Sequence, residues 1–225
     1  MKIVILTDSL GLPRQVPEAV DIEDTYIEKL RKKYKDLTII SLSIGGATIS
    51  LMREQYFNYL KPINPDLVII QAGIVDCAPR ALKKWELALI NSNRLTKSIY
   101  STLFKKHTHS LRKYRRVTYT PLQEFESIAK NFYLSLGEKL AWVGIIPARN
   151  EYEQQLPGIA ENINKYNDIL RTLLPSGLID TCEMPAEGIM SDHHHINAIG
   201  HQFIFTKICD RIDTLNGGNP SLNHP

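Results

Sequence analysis

The sequence predicts a three-layer α/β/α fold of the flavodoxin-like kind, built on a five-stranded parallel sheet. Three observations carry that expectation. Short apolar runs alternate with stretches of helical periodicity, a pattern that implies parallel strands joined by right-handed crossovers with helices on both faces. The first run, Ile3-Val4-Ile5-Leu6, is apolar without interruption, as in a strand covered on both sides. Segments rich in small and polar residues follow the strand-like runs, at the ends where open α/β sheets bind ligands.

Taken in order, the first strand covers 2–6 and is broken by Gly11-Leu12-Pro13. A helix over 24–35 places Tyr26, Ile27, Leu30 and Tyr34 at helical spacing and ends in basic residues that suit its dipole. The second strand, 37–40, leads to Ser43-Ile44-Gly45-Gly46-Ala47-Thr48, and a helix over 48–60 stops at Lys61-Pro62. Pro65-Asp66 introduces the third strand, 67–70, which runs into Gly73-Ile74-Val75-Asp76. Trp85, Leu87, Leu89 and Ile90 suggest a helix. Pro121 sits in the first turn of another that reaches Leu136. A fourth strand over 140–146, a helix over 157–174, a short fifth strand at 178–180 and a closing helix over 198–212 complete the pattern.

The chain of 225 residues, 43% hydrophobic and 23% charged, suits one α/β domain over 1–215 with a flexible tail at 216–225 rich in Gly, Asn and Pro. Residues 80–117 form a basic helical insertion after the third strand, placed by topology near the cleft. Within it, 105–116 holds six Lys/Arg and two His with almost no acid; the run is a solvated face, a flap, or a patch that attracts an anionic substrate. A net charge of +3 is too small to argue for nucleic acid. No apolar run is long enough for a membrane span or a signal peptide core, so a cytoplasmic protein is expected. Cys77, Cys182 and Cys209 are scattered without a CxxC pair, which suggests neither a disulfide framework nor a zinc knuckle.

Asp192 and His195 stand three residues apart before the closing helix, and a carboxylate beside an imidazole makes a general base. Ser9, on the turn after the first strand, is read either as a turn or N-cap serine or as the nucleophile that base would activate. Gly45-Gly46 either makes a plain strand-to-helix turn or exposes a backbone N–H to a developing oxyanion. His193 and His194 are expected as loop residues near the pocket mouth, His201 as a helix residue. No metal site is expected, because consecutive residues point in different directions and no second ligand cluster is evident. The glycine-rich phosphate loop and its lysine are missing after the first strand, which weakens a nucleotide-binding reading.

Together these residues resemble the SGNH hydrolases, the GDSL-type esterase and lipase superfamily, over most of the chain and in order. Thr7-Asp8-Ser9-Leu10 is similar to the family's Gly-Asp-Ser-Leu, with threonine replacing glycine; Gly46-Ala47-Thr48 is similar to its Gly-x-Thr; Asp192-x-x-His195 matches its last motif. The Tyr166-Asn167 pair is also similar to family members. The resemblance implies the SGNH fold, a nucleophile at Ser9, a base at His195 oriented by Asp192, and oxyanion donors at the Ser9 and Gly46 amides. It departs at Gly73-Ile74-Val75-Asp76, where the family has Gly-x-Asn-Asp and its asparagine donates to the oxyanion. Valine cannot donate, and losing one such donor costs about 10²–10³ in rate. Arg80 is the candidate replacement, against the plainer reading of a salt bridge to Asp76 or another carboxylate; Gly45, Gly46, Asp76 and Arg80 are thus the expected oxyanion and substrate-binding set.

The expectation is a cofactor-free serine esterase acting on a small O-acyl ester, an O-acetylated carbohydrate foremost. An O-acyltransferase using the same residues and a weak or inactive sugar- or partner-binding protein of the same fold are the alternatives.

Overall fold

The computed structural model describes residues 1–92 and 107–215. At its centre β1 (Lys2–Thr7) lies between β2 (Thr38–Ser43) and β3 (Leu67–Gln71), and β4 (Leu140–Val143) and β5 (Leu178–Ile179) continue the sheet beyond β3. The order β2-β1-β3-β4-β5 is parallel throughout. From Ile3 to Leu6 in β1 and from Leu67 to Ile70 in β3 the side chains are shut off from solvent on both faces, which is why those runs are apolar without alternation. Thr7 is in register with Ser43 on one side and Gln71 on the other, so the loops after β1, β2 and β3 leave the sheet at one level.

Among the described residues the helices are α1 (Tyr26–Lys33), α2 (Ile49–Gln55), α3 (Ile74–Cys77), α4 (Lys84–Asn91), α5 (Thr108–Arg115), α6 (Leu122–Leu136), α7 (Asn150–Gln155), α8 (Ile159–Leu173) and α9 (Ala198–Leu215). The hydroxyl of Thr25 accepts the Glu28 N–H at the start of α1, and Arg31, Lys32 and Lys33 meet the negative end of its dipole. α1 packs against α9, while α6 packs against both α2 and α8, and the sheet separates the two groups as right-handed crossovers require. Trp142 of β4 is fully buried, edge-on to Phe125 and Phe132 of α6, and donates its indole N–H to the Ala72 carbonyl. Truncating such a residue to alanine costs about 3–5 kcal/mol.

Several boundaries differ from the sequence expectation for identifiable reasons. The fourth strand stops at Val143 rather than 146, because β5 offers only two residues to pair with and Asn167 takes over beyond it. The side chain of Asn167 accepts the Ile145 N–H and donates to the Ile145 carbonyl, satisfying a segment that no strand reaches. The second strand runs on to Ser43, pairing with the full length of β1. α2 gives way to a π-turn over Tyr56–Leu60 before Lys61-Pro62. The short helices α3 and α7 were not expected; at four and six residues they show no readable periodicity.

The expected insertion at 80–117 is described at its two ends. The Arg80 N–H donates to the Val117 carbonyl, and the Arg115 guanidinium forks onto Glu86 at 2.7 and 2.9 Å while also reaching the Ala81 carbonyl. Lys105 and Lys106 of the basic run, and the expected tail at 216–225, lie outside the described residues. No described helix is long and apolar enough to cross a membrane.

Candidate active site

The turn that carries Ser9 is built by its neighbours. Asp8 ends β1, donates its N–H to the Gln71 carbonyl of β3, and accepts the Leu10 N–H on Oδ1, which winds Ser9–Gly11 into one 3₁₀ turn. A Cβ at Gly11 would overlap the Thr7 side chain, so the turn closes only with glycine there. Arg14 donates from Nη2 to the Ser9 carbonyl at 3.2 Å. Nothing about Arg14 stands out in sequence; its only signal is its place five residues after the serine.

At the far end of the chain, Ile189 and Ile196 form an antiparallel bridge, and the Met190 N–H donates to the His195 carbonyl at 2.8 Å. His193, at the bend, takes a left-handed conformation with φ 65°. The Asn197 side chain accepts the Ile199 and Gly200 amides at the start of α9. Gly200 comes so close to the Gly188 carbonyl that a Cβ would collide with it, which fixes the loop against the helix.

These two segments meet. Ser9 Oγ lies 3.0 Å from His195 Nε2, and His195 Nδ1 lies 2.6 Å from Asp192 Oδ2. Asp192 Oδ1 also accepts the backbone amides of His194 and His195, so the carboxylate is held from both sides. Burial pushes the Asp192 carboxyl up, but the hydrogen bonds from His195 outweigh it and bring its pKa down to about 2. Burial lowers the His195 pKa below its ordinary value; Asp192 only partly offsets that, and His194 adds to it. The imidazole is therefore neutral at pH 7 and free to accept a proton on Nε2.

The loop after β2 lies alongside: the Ile44 N–H donates to the Thr7 carbonyl, and Gly46 has φ 72° with open space where a Cβ would stand. Among the described residues the Ser9 and Gly46 amides donate to no group. Two amide donors left over near the Ser9 hydroxyl are an arrangement that suits an oxyanion. Gly45 makes the approach to this turn, with Leu12 as its neighbour across the gap.

The loop after β3 departs from expectation. Asp76, expected in the substrate-binding set, is fully buried; its carboxylate accepts the Ile49 N–H that opens α2 and the Thr120 hydroxyl, so the structure places it among packing contacts. Val75 is partly buried and presents no donor. Arg80 turns back on its own loop, donating from Nη2 to the Val75 carbonyl at 3.3 Å, with its guanidinium 4.2 Å from the Tyr119 ring centroid.

The remaining histidines separate. The His194 ring lies 4.0 Å from that of His195 and stacks on Tyr152 of α7, 13° from parallel at 5.6 Å. Tyr152 is a site residue that the sequence did not reveal, because α7 is too short to read. His201 is buried on α9 and accepts the Tyr26 N–H on Nδ1; burial lowers its pKa to about 4, so it stays neutral and able to accept. The ligating atoms of Asp192, His194 and His195 lie within 4.8 Å of one another, a spacing a metal ion would accept. Both ring nitrogens of His195 are already engaged, one with Asp192 and one with Ser9, so a metal there would displace that relay.

Similar solved structures share this fold. A lipase/acylhydrolase from Enterococcus faecalis superposes with a TM-score of 0.65 at 14% identity, over 95% of both chains. The chain has the SGNH hydrolase fold. The acetyl xylan esterase AlAXEase gives a TM-score of 0.59 at 18% identity, over 94% of this chain and 100% of the other. A catalytic mutant of an acetylxylan esterase from Geobacillus stearothermophilus gives 0.61 at 14%, over 94% and 93%. No family model and no curated protein matches the sequence. In this SGNH fold, the segments after β1, β2 and β5 supply the hydroxyl, the free amides and the imidazole–carboxylate pair, whereas the segment after β3 supplies packing.

Proposed function

We propose that the protein is a serine esterase that hydrolyses a small O-acyl ester, with an O-acetylated carbohydrate as the preferred class. The observation that carries this reading is the continuous relay from Ser9 Oγ through His195 to Asp192, with links of 3.0 and 2.6 Å between the two ends of the chain. His195 Nε2 takes the Ser9 proton as Oγ attacks the ester carbonyl carbon, and Asp192 stabilises the imidazolium. The resulting oxyanion accepts from the Ser9 and Gly46 amides. Collapse expels the alcohol, which takes the proton back from His195 and leaves an acyl group on Ser9. Water, deprotonated by His195, then releases the acid and restores the serine. Acetylxylan esterases among the similar structures support acetyl as the acyl group and a sugar hydroxyl as the alcohol.

Reaction with a fluorophosphonate probe tests the proposal directly. Wild type labels at Ser9 and hydrolyses 4-nitrophenyl acetate, and Ser9→Ala does neither. A folded wild type that resists the probe would remove the esterase reading. Val75 favours a second reading, a slow enzyme or a sugar-binding protein on the same scaffold, because the position expected to hold a third oxyanion donor is aliphatic. An acyltransferase would use the same atoms with a sugar hydroxyl replacing water.

A further inference from the structure

A second cleft of about 450 Å³ opens between α5, the segment leading into α6, and the α7–α8 junction. Its charged lining is Arg112, Lys113, Arg116 and Lys165 against Glu153 and Glu161. Both acids are already committed. Glu153 accepts the Gly158 and Ala160 amides at 2.6 and 2.9 Å, capping α8, and Glu161 pairs with Lys165 at 2.6 Å and with Arg116 at 3.9 Å. Among the described residues the side chains of Arg112 and Lys113 have neither a hydrogen bond nor an ion pair, and Arg112 Nε is sealed from solvent without an acceptor. A guanidinium and an ammonium without a carboxylate partner leave this wall positively charged, and an anion entering the cleft would compensate them.

The cleft lies next to the candidate active site through α7. Tyr152 stacks on His194, and the next residue, Glu153, lines the cleft. Proline rings and the Thr118 and Tyr166 hydroxyls give the wall the mixed apolar and polar character that suits a sugar face.

We propose that this cleft is a subsite for an anionic group, a carboxylate or a phosphate, carried by the glycan whose acyl ester reaches Ser9. Arg112 is its main anchor and Lys113 adds charge at the mouth. The role of the subsite rests on the esterase reading, but occupancy can be measured without any hydrolysis. The probe is a trisaccharide of galacturonic acid, compared with its fully methyl-esterified, uncharged counterpart, titrated by calorimetry into the Ser9→Ala protein. The acid form is expected to bind at least about tenfold more tightly, or about 1.4 kcal/mol, and to weaken as salt rises. Arg112→Ala should remove most of that preference; Lys113→Ala, at an exposed position that leaves the fold intact, should reduce it two- to fivefold. Displacement by inorganic phosphate would assign the site to a phosphorylated glycan, and displacement by acetate alone to a uronic one. Equal affinity for the charged and uncharged trisaccharides, or an undiminished preference in both variants, would overturn the subsite. Absence of hydrolysis in the wild type would count against the esterase and leave this binding result standing.

Discussion

The loops after β1 and β5 and the loop after β3 emerge at the same edge of one sheet, yet they use their polar groups in opposite ways. Around Ser9, the Asp8 carboxylate and Arg14 shape the turn, Asp192 holds His195, the Ser9 hydroxyl meets only His195, and the Ser9 amide donates to no described group. After β3, Asp76 starts α2 and anchors Thr120, and Arg80 ties off the Val75 carbonyl. The first region leaves a base and, with Gly46 alongside, two amides unused by the fold; the second uses the Asp76 carboxylate on α2 and Thr120 and one Arg80 nitrogen on the Val75 carbonyl, with Arg80 Nε left without an acceptor. On the proposed reading the Ser9 turn serves both the relay and the oxyanion, while the loop after β3, with Val75, adds no side-chain donor.

The strongest way to break this contrast is to disable the relay. Asp192→Asn keeps the shape of the loop but favours the wrong tautomer of His195, and kcat for 4-nitrophenyl acetate should fall about 10⁴-fold. A loss below tenfold would mean that the relay is not what drives the reaction. The reverse experiment adds a donor to the depleted loop. Val75→Asn should raise kcat by about 10²- to 10³-fold with little change in KM, the worth of one oxyanion donor. If turnover does not move, the loop after β3 stands too far from the reacting carbonyl to matter.

Arg80 sharpens the same comparison. As an oxyanion donor its loss in Arg80→Ala would lower kcat about tenfold or more at constant KM. The contacts to Val75 and Tyr119 point to a bracing role, for which kcat changes less than threefold while the thermal midpoint drops. The acid limb of the kcat/KM profile reports on His195: because burial lowers its pKa, activity should rise with pH through a midpoint below 6.5 and level off above it.

The smallest expected effect concerns Asp8, which shares the buried interior with Asp76. Burial, reinforced by the Asp76 charge and opposed by the Leu10 N–H, raises its pKa from 3.8 to about 7, and Oδ2 has no partner. The folded state therefore keeps a proton that the unfolded chain releases, so this group's contribution is favourable below pH 4 and is lost as pH rises through about 7. Asp8→Asn should remove that loss, gaining stability over wild type between pH 5 and pH 8 by an amount on the order of 1–3 kcal/mol in denaturant titrations. A difference that does not vary with pH would show Asp8 to be ionised throughout.

Much of the molecule was legible in the chain because strands buried on both faces must be continuously apolar and helices must repeat their apolar residues every turn. That alone gave five strands, their parallel pairing and the long helices, and the short motifs around Ser9, Gly46 and His195 were recognisable as local sequence. What the sequence could not give was direction: a carboxylate such as Asp76 reads the same whether it faces a cleft or the interior, and only packing against Ile49 and Thr120 turned it inward. Arg14, Tyr152 and the cleft beside Arg112 were hidden for the same reason, since each depends on contacts between segments far apart in the chain. Composition and periodicity are local and survive in the sequence, whereas which polar group is left unpaired is decided only when the whole fold has closed around it.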